Sequence, residues 1–381
     1  MKRLYTFLLA LAGLFSAAQA QKVDSLDIMI GQMIMTGIRD YSDPEIKRTL
    51  HDQLAIGKVG GVILFEKNVP KDNSKEELAM MNLAIQKQAR FPVLIAIDEE
   101  GGRVNRLKPQ YGFHKPPSAQ QLGEIDDVDS TLFYSKKTAQ NLHELGININ
   151  FAPSVDVNIN PQNPVIGKVG RSFSPDYNQV IKHAESYIEG HNEFDIGTAL
   201  KHFPGHGSSK NDTHLGVADV SSTWVIEEIY PYKTLIDRGK VKGVMTSHVV
   251  NRSLDPEKLP GTLSKKIIQG LLRTHLGYDG VVFTDDMQMK AIADNYGLEK
   301  AIILCVNAGV DMLVFANNVP DYDLVTVDQV FDIIKKAIAS GEIDQKRIRE
   351  SYARVMQLKT DLGLLDRNYV RTLKKRLKTL Y

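Results

Sequence analysis

Eight short apolar runs recur through this chain at intervals that leave room for one helix between each pair. They are Met33–Thr36, Gly61–Phe65, Val93–Ile97, Ile147–Phe151, Thr198–Leu200, Gly243–Thr246, Gly280–Phe283 and Asp311–Phe315. Short runs with little polar alternation have the character of strands buried on both faces. Between them lie amphipathic stretches. Ser74 with Glu77 reads as a capping box, followed by Leu78, Met81 and Ile85 on one face. The helix from Ser130 to Leu145 stops at Gly146, and the one from Ser264 to Leu276 stops at Gly277. Val180, Ile181, Ala184 and Ile188 mark another apolar face. Eight strands interleaved with helices predict an α/β fold of the (β/α)8 barrel type in a single domain. An open doubly wound sheet is the alternative, weakened because no G-x-G-x-x-G follows the first strand.

The chain has 381 residues, ample for one large domain. The first twenty residues stand apart: Lys2 and Arg3, an apolar run from Leu4 to Phe15, then Ala18-Gln19-Ala20. That order is expected of a cleaved signal peptide, with residues 21–381 forming the barrel and the protein exported, most simply to a periplasm. The apolar run is too short for a stable membrane anchor. Removing Lys2 and Arg3 changes the formal charge from +1 to about −1, so neither form presents the basic surface that nucleic acid would require. The lone cysteine, Cys305, lies in the apolar stretch AIILCVNAG and is expected to be a buried, inert thiol. The basic tail RTLKKRLKTLY is expected to continue a surface helix with its charges solvated.

In a barrel of this kind, chemistry sits at the C-terminal ends of the strands. Five runs end in polar clusters: DEEGGRVNRL, APSVDVN, KHFPGHGSSKNDTH, SHVVNR and TDDMQM. Arg103, Arg106, Arg171 and Lys201 supply donors there, and Asp98, Asp156 and Asp285 supply acceptors. A pocket rich in both suits a small carbohydrate. Of the adjacent Asp285 and Asp286, only one can face the barrel axis, where it could attack an anomeric carbon; the other reads as a helix N-cap. The histidine-rich stretch permits three readings. As a metal site, His202, His206 and His214 would need a helix that Pro204, Gly205 and Gly207 forbid, so no metal and no cofactor are expected. As a phosphate nest it lacks a following G-K-[ST]. As a catalytic loop, Asp212 two residues before His214 can orient the imidazole for proton transfer. A surface loop with a chance D-x-H remains the bland alternative to the last.

Four of these segments resemble glycoside hydrolase family 3, specifically its single-domain β-N-acetylglucosaminidases. IDEEGGRVNRL is similar to the D-x-E-G-G-R-V-x-R-L signature, and GRSFSPD to the R-S-F-G segment, with Ser174 in place of glycine. KHFPGHG followed by DTH resembles K-H-F-P-G-H-G and D-S-H, with Thr213 for serine. VVFTDDMQMKAI resembles the F-S-D-D strand end, with Thr284 for serine. The resemblance implies a retaining β-N-acetylhexosaminidase acting on GlcNAc-terminated peptidoglycan fragments or chito-oligosaccharides. It implies Asp285 as nucleophile, His214 as general acid and base, and Asp212 as its polarising partner. It assigns sugar binding to Asp98, Arg106, Arg171, Lys201 and His202, and leaves His206 to shape the loop. Gly205, Gly207, Ser208 and Ser209 are expected to let that loop move. A non-catalytic sugar- or muropeptide-binding barrel, or a β-glycosidase of other specificity, are the alternatives. Oligomeric state has no signature in this sequence.

Overall fold

The computed structural model describes residues 25–318 and 324–377. Residues 1–20, expected to be a signal peptide, lie outside them. Eight strands follow one another: β1 (Ile34–Gly37), β2 (Gly61–Leu64), β3 (Leu94–Ile97), β4 (Ile149–Asn150), β5 (Gly197–Phe203), β6 (Gly243–Thr246), β7 (Val281–Phe283) and β8 (Leu313–Phe315). Neighbours in sequence pair in parallel from β1 to β7, and β8 returns to pair with β1. A bridge between Phe283 and Met312 brings β7 against β8, and the ring closes. This is the expected (β/α)8 barrel.

Alternation along each strand divides the apolar side chains into two layers. Met35, Ile63, Leu94, Ala96, Ile149, Phe151, Ala199, Met245, Phe283 and Val314 fill the barrel interior. Ile34, Val62, Leu64, Ile95, Ile97, Val244, Val282 and Leu313 face the surrounding helices. Val355, Leu358, Leu362 and Leu364 join the interior layer from below. Leu362 lies where a Cβ on Gly197, the first residue of β5, would point, so this end of the chain plugs the N-terminal mouth. The C-terminal mouth is left for the polar loops.

Several local expectations are corrected. The helix Ser74–Gln88 begins at Ser74 itself, preceded by Asn73 at φ 47°, and no Ser74–Glu77 box forms. The Ser74 hydroxyl donates to the Pro70 carbonyl instead, at 2.6 Å. Leu78, Met81 and Ile85 are buried as expected. Ser264 precedes a helix that winds in π fashion over Lys266–His275, with Gly277 at φ 72° beyond it. β5 is longer than its apolar core because the polar Lys201 and His202 continue the strand, and β4 is shorter. The tail helix Tyr369–Leu377 buries Leu373, and Arg376 donates to the His143 carbonyl at 3.1 Å. At least one of its charges is thus docked rather than solvated. Cys305 is buried, and burial pushes its thiol pKa up.

Candidate active site

The residues just past β3 alternate like the strand itself. Asp98 and Glu100 meet across the mouth with Lys201 of β5, while Glu99 turns the other way. Lys201 is 1% exposed; its Nζ donates to Asp98 Oδ1 at 2.8 Å and lies 2.6 Å from Glu100 Oε1. Burying an ammonium is costly unless it is paired in this way. Arg171 holds Glu100 with both arms, Nε to Oε2 at 2.8 Å and Nη2 to Oε1 at 2.7 Å. Arg106 reaches Asp98 at 3.3 Å. Burial raises the pKa of both acids, but Lys201 beside Asp98, and Arg171 and Lys201 beside Glu100, bring each below the usual carboxylate range.

A second chain of contacts starts from Arg171. Its Nη2 donates to His202 Nε2 at 2.9 Å, so that nitrogen must be an acceptor. The other ring nitrogen, Nδ1, then donates to Asp156 Oδ2 at 2.6 Å. Asp156 is fully buried and also accepts the backbone N–H of His202 and His206 and the hydroxyl of Ser154. Burial raises its pKa, and the His202 and His206 donors more than reverse that. The predicted sugar-binding set, Asp98, Arg106, Arg171, Lys201 and His202, is therefore one connected network. Arg103 is exposed and stands outside it.

At the end of β7 the two aspartates diverge. Asp285 is held by the N–H of Asp286 at 2.8 Å, and its pKa is lowered. Burial alone would raise it; the nearby imidazoles of His248, His202 and His214 reverse the sign. Asp286 turns toward β8 and accepts from Ala316 N at 3.0 Å and Gln288 N at 3.1 Å. Burial pushes its pKa up to about 6. Environments that separate two neighbouring carboxyls mark which one stays ionised. Asp286 caps no helix, since the following one starts at Lys290 behind Met289; it ties the β7 turn to the β8 end.

The long loop after β5 carries the remaining pair. His214 Nδ1 lies 2.7 Å from Asp212 Oδ1, which also accepts the His214 backbone N–H at 2.8 Å. The His214 side chain is 63% exposed, and it lies near enough to Asp285 to act on its charge. Thr213 between them is buried, its carbonyl accepting from Ala291 N at 3.3 Å and its hydroxyl 3.4 Å from His206 Nε2. His206 is buried, and burial drops its pKa to about 4, in keeping with a shaping role. The glycines here do not supply movement. A Cβ on Gly205 would lie 2.6 Å from Glu228 Cβ, and one on Gly207 would collide with the Val157 carbonyl. They are sites of close packing, and Ser208 and Ser209 are buried with them. Among the described residues, no three His, Cys, Asp or Glu side chains are grouped to hold a metal ion.

Three residues near this mouth were not singled out from the sequence. Glu100 shares the side of Asp98, which alternation past β3 would have revealed. His248 is fully buried after β6, with Nε2 donating to the Asp286 carbonyl at 2.9 Å. Glu99 is 2% exposed and accepts from Arg106 N at 2.8 Å, Leu107 N at 3.1 Å and the Asn105 amide. It holds the loop that carries Arg106.

The model of the glycosyl hydrolase family 3 N-terminal domain matches residues 25–358. The chain belongs to glycosyl hydrolase family 3. Its relatives within the family include β-hexosaminidase A of Pseudoalteromonas piscicida, 31% identical over 91% of this chain and 63% of that protein. The chain thus spans less than two thirds of that relative. β-Hexosaminidase LpqI of Mycobacterium tuberculosis is also 31% identical, over 87% of this chain and 81% of the relative. Among solved structures, the family 3 β-N-acetylglucosaminidase from Paenibacillus sp. FPU-7 superposes with a TM-score of 0.80 at 31% identity, covering 93% of this chain and 68% of that one. The structure of M. tuberculosis LpqI gives a TM-score of 0.74 at 30% identity, covering 88% and 94%.

Proposed function

We propose that this family 3 protein is a retaining exo-β-N-acetylglucosaminidase, releasing terminal β-linked GlcNAc from peptidoglycan fragments or chito-oligosaccharides. The observation that carries the reading is the pairing of a half-buried Asp285 at the β7 end, its pKa held below the usual carboxylate range, with an exposed Asp212–His214 pair on the β5 loop. In the first step Asp285 attacks the anomeric carbon while His214 Nε2–H protonates the departing oxygen. In the second, the same nitrogen takes a proton from water, which displaces Asp285, and configuration is retained. Asp212 fixes the ring orientation and stabilises the imidazolium. Asp98, Arg106, Lys201, Arg171 and His202 form a wall of donors and acceptors that suits sugar hydroxyls. The names of the hexosaminidase relatives support GlcNAc as the glycone.

Export to a periplasm, with residues 21–381 as a single mature barrel unit, remains part of the proposal. It rests on the sequence of residues 1–20. Peptidoglycan fragments follow from that location as the nearest source of β-linked GlcNAc.

The test is release of GlcNAc from chitobiose and from purified muropeptides, with product anomers followed by NMR. Wild type should yield the β-anomer first, and Asp285→Ala and His214→Ala should each abolish turnover of both. Tight binding of chitobiose without turnover by wild type would establish the non-catalytic sugar-binding alternative instead. Turnover of glucosides at rates matching GlcNAc substrates would point to another glycone.

A further inference from the structure

The loop that carries Asp212 and His214 has an anchor that faces away from the substrate side. Leaving β5 at Phe203, the chain passes Pro204, Gly205, His206, Gly207 and Ser208, all buried, before reaching the exposed Lys210 and Asn211. Beneath it runs the segment from Trp224 to Glu228. The Trp224 indole N–H donates to the Pro204 carbonyl at 2.9 Å. Glu228, wholly buried at the end of the short turn Ile226–Glu228, receives two consecutive loop N–H groups on one oxygen: Gly207 N at 2.8 Å and Ser208 N at 3.4 Å. Gly205, at φ 115°, has no Cβ, and the space that atom would fill is occupied by the Glu228 side chain. The neighbouring Glu227 is only half-buried.

We infer that Glu228 is a positioning residue for proton transfer: it clasps the base of the loop so that the Asp212–His214 pair is delivered to the departing glycosidic oxygen. The inference rests on the assignment of His214 as acid and base. Five residues separate Ser208 from His214, and the far end is pinned through Thr213 to His206 and Ala291. Asn163 and Asn160 hold the other side of the loop base, Asn163 Nδ2 donating to the His206 carbonyl at 2.6 Å and Asn160 N to the Gly207 carbonyl at 3.1 Å, so Glu228 is the clasp on the side of the Trp224–Glu228 segment, with the exposed Lys210 and Asn211 before the Thr213 anchor. Releasing the Glu228 point lets the imidazole wander while the network around Lys201, Glu100 and Arg171, which makes no contact with Glu228, keeps its geometry. Burial pushes the Glu228 carboxyl up to about 8, so glutamine is a fair imitation of its neutral form and keeps an oxygen for the two N–H groups.

The experiment compares wild type, Glu228→Ala, Glu228→Asp and Glu228→Gln on two N-acetylglucosaminides. The leaving sugar of chitobiose requires a proton; a dinitrophenolate does not. With Glu228→Ala, kcat/KM for chitobiose should fall on the order of 10- to 100-fold, the scale of a misplaced reacting group. The dinitrophenyl glycoside should change by less than about threefold, because general-acid assistance contributes little to so good a leaving group. Glu228→Asp, one methylene too short, should show the same split in smaller measure, and decides the matter if the alanine variant does not fold. Glu228→Gln should stay close to wild type on both. Equal losses on the two substrates, or loss on neither, would overturn the inference. Hydrogen exchange at the Gly207 and Ser208 amides gives a readout free of turnover. Faster exchange in Glu228→Asp supports the clasp and unchanged exchange refutes it, even if wild type released no GlcNAc and the proposed function fell by itself.

Discussion

Glu99 offers a prediction whose size follows from the structure. Its carboxyl is buried, and the pKa is pushed up to about 8 from an ordinary 4.5, chiefly by burial, with the Arg106 and Leu107 N–H groups opposing. In the unfolded chain the same group ionises near its ordinary value. Between these two values the folded protein binds more protons than the unfolded one, so stability from this group falls as pH rises from about 4.5 to about 8. At about 1.4 kcal/mol per pH unit, the full interval sets a ceiling near 5 kcal/mol, of which about 3 kcal/mol is lost between about pH 5 and about pH 8. Glutamine cannot ionise. In Glu99→Gln its Oε1 keeps the two backbone N–H groups, and the Asn105 amide need only turn over to meet the new NH2. The variant should match wild type at about pH 5 and exceed it by about 3 kcal/mol at about pH 8. Urea titrations at both pH values, read by the single tryptophan Trp224, measure this directly. A stability difference that stays the same at the two pH values would refute the reasoning. Activity toward GlcNAc glycosides should persist in the variant, since the Arg106 loop keeps its anchor.

Two further outcomes follow. Lys359 is fully buried with its Nζ on Gln32 Oε1 at 2.6 Å, and burial drops its pKa to about 7. Its penalty is complete below pH about 7 and fades toward the ordinary 10.5, so Lys359→Met should raise Tm most at low pH and least near pH 10; a pH-independent Tm shift would contradict this. Arg171→Lys keeps a charge but loses the two-armed grip on Glu100 and the N–H to His202, and kcat/KM should fall by about 10- to 100-fold; retention of wild-type values would show that the fork is not needed.

The strands were legible because β/α barrels bury both strand faces, and such runs are continuous in sequence. Legibility failed where polar residues continued a strand, as Lys201 and His202 do in β5, since their partners lie 103 and 46 residues away. Ser74 was misplaced by one position because its hydroxyl found a closer acceptor in the preceding turn. The residues of the mouth were legible as a set: the structure brings Asp98, Arg106, Arg171, Lys201 and His202 into one network, and sets Asp285 and the Asp212–His214 pair at the same face. The supports beneath them were not. Glu99 and Glu228 look like ordinary surface acids in a linear reading, and only the fold shows each taking two consecutive loop N–H groups. The loop glycines misled for the same reason, since close approach to Glu228 and Val157 is a tertiary property.

The central claim is that Asp285 becomes covalently attached to the sugar. Wild type mixed with a slowly released GlcNAc glycoside, quenched in acid and analysed by intact-protein and peptide mass spectrometry, tests it most directly. The account predicts a population heavier by one N-acetylglucosaminyl unit, with the modification mapped to Asp285 and absent from Asp285→Ala. Turnover with no adduct and with inversion of the anomeric centre, or an adduct mapped to another carboxylate such as Asp286, would contradict it.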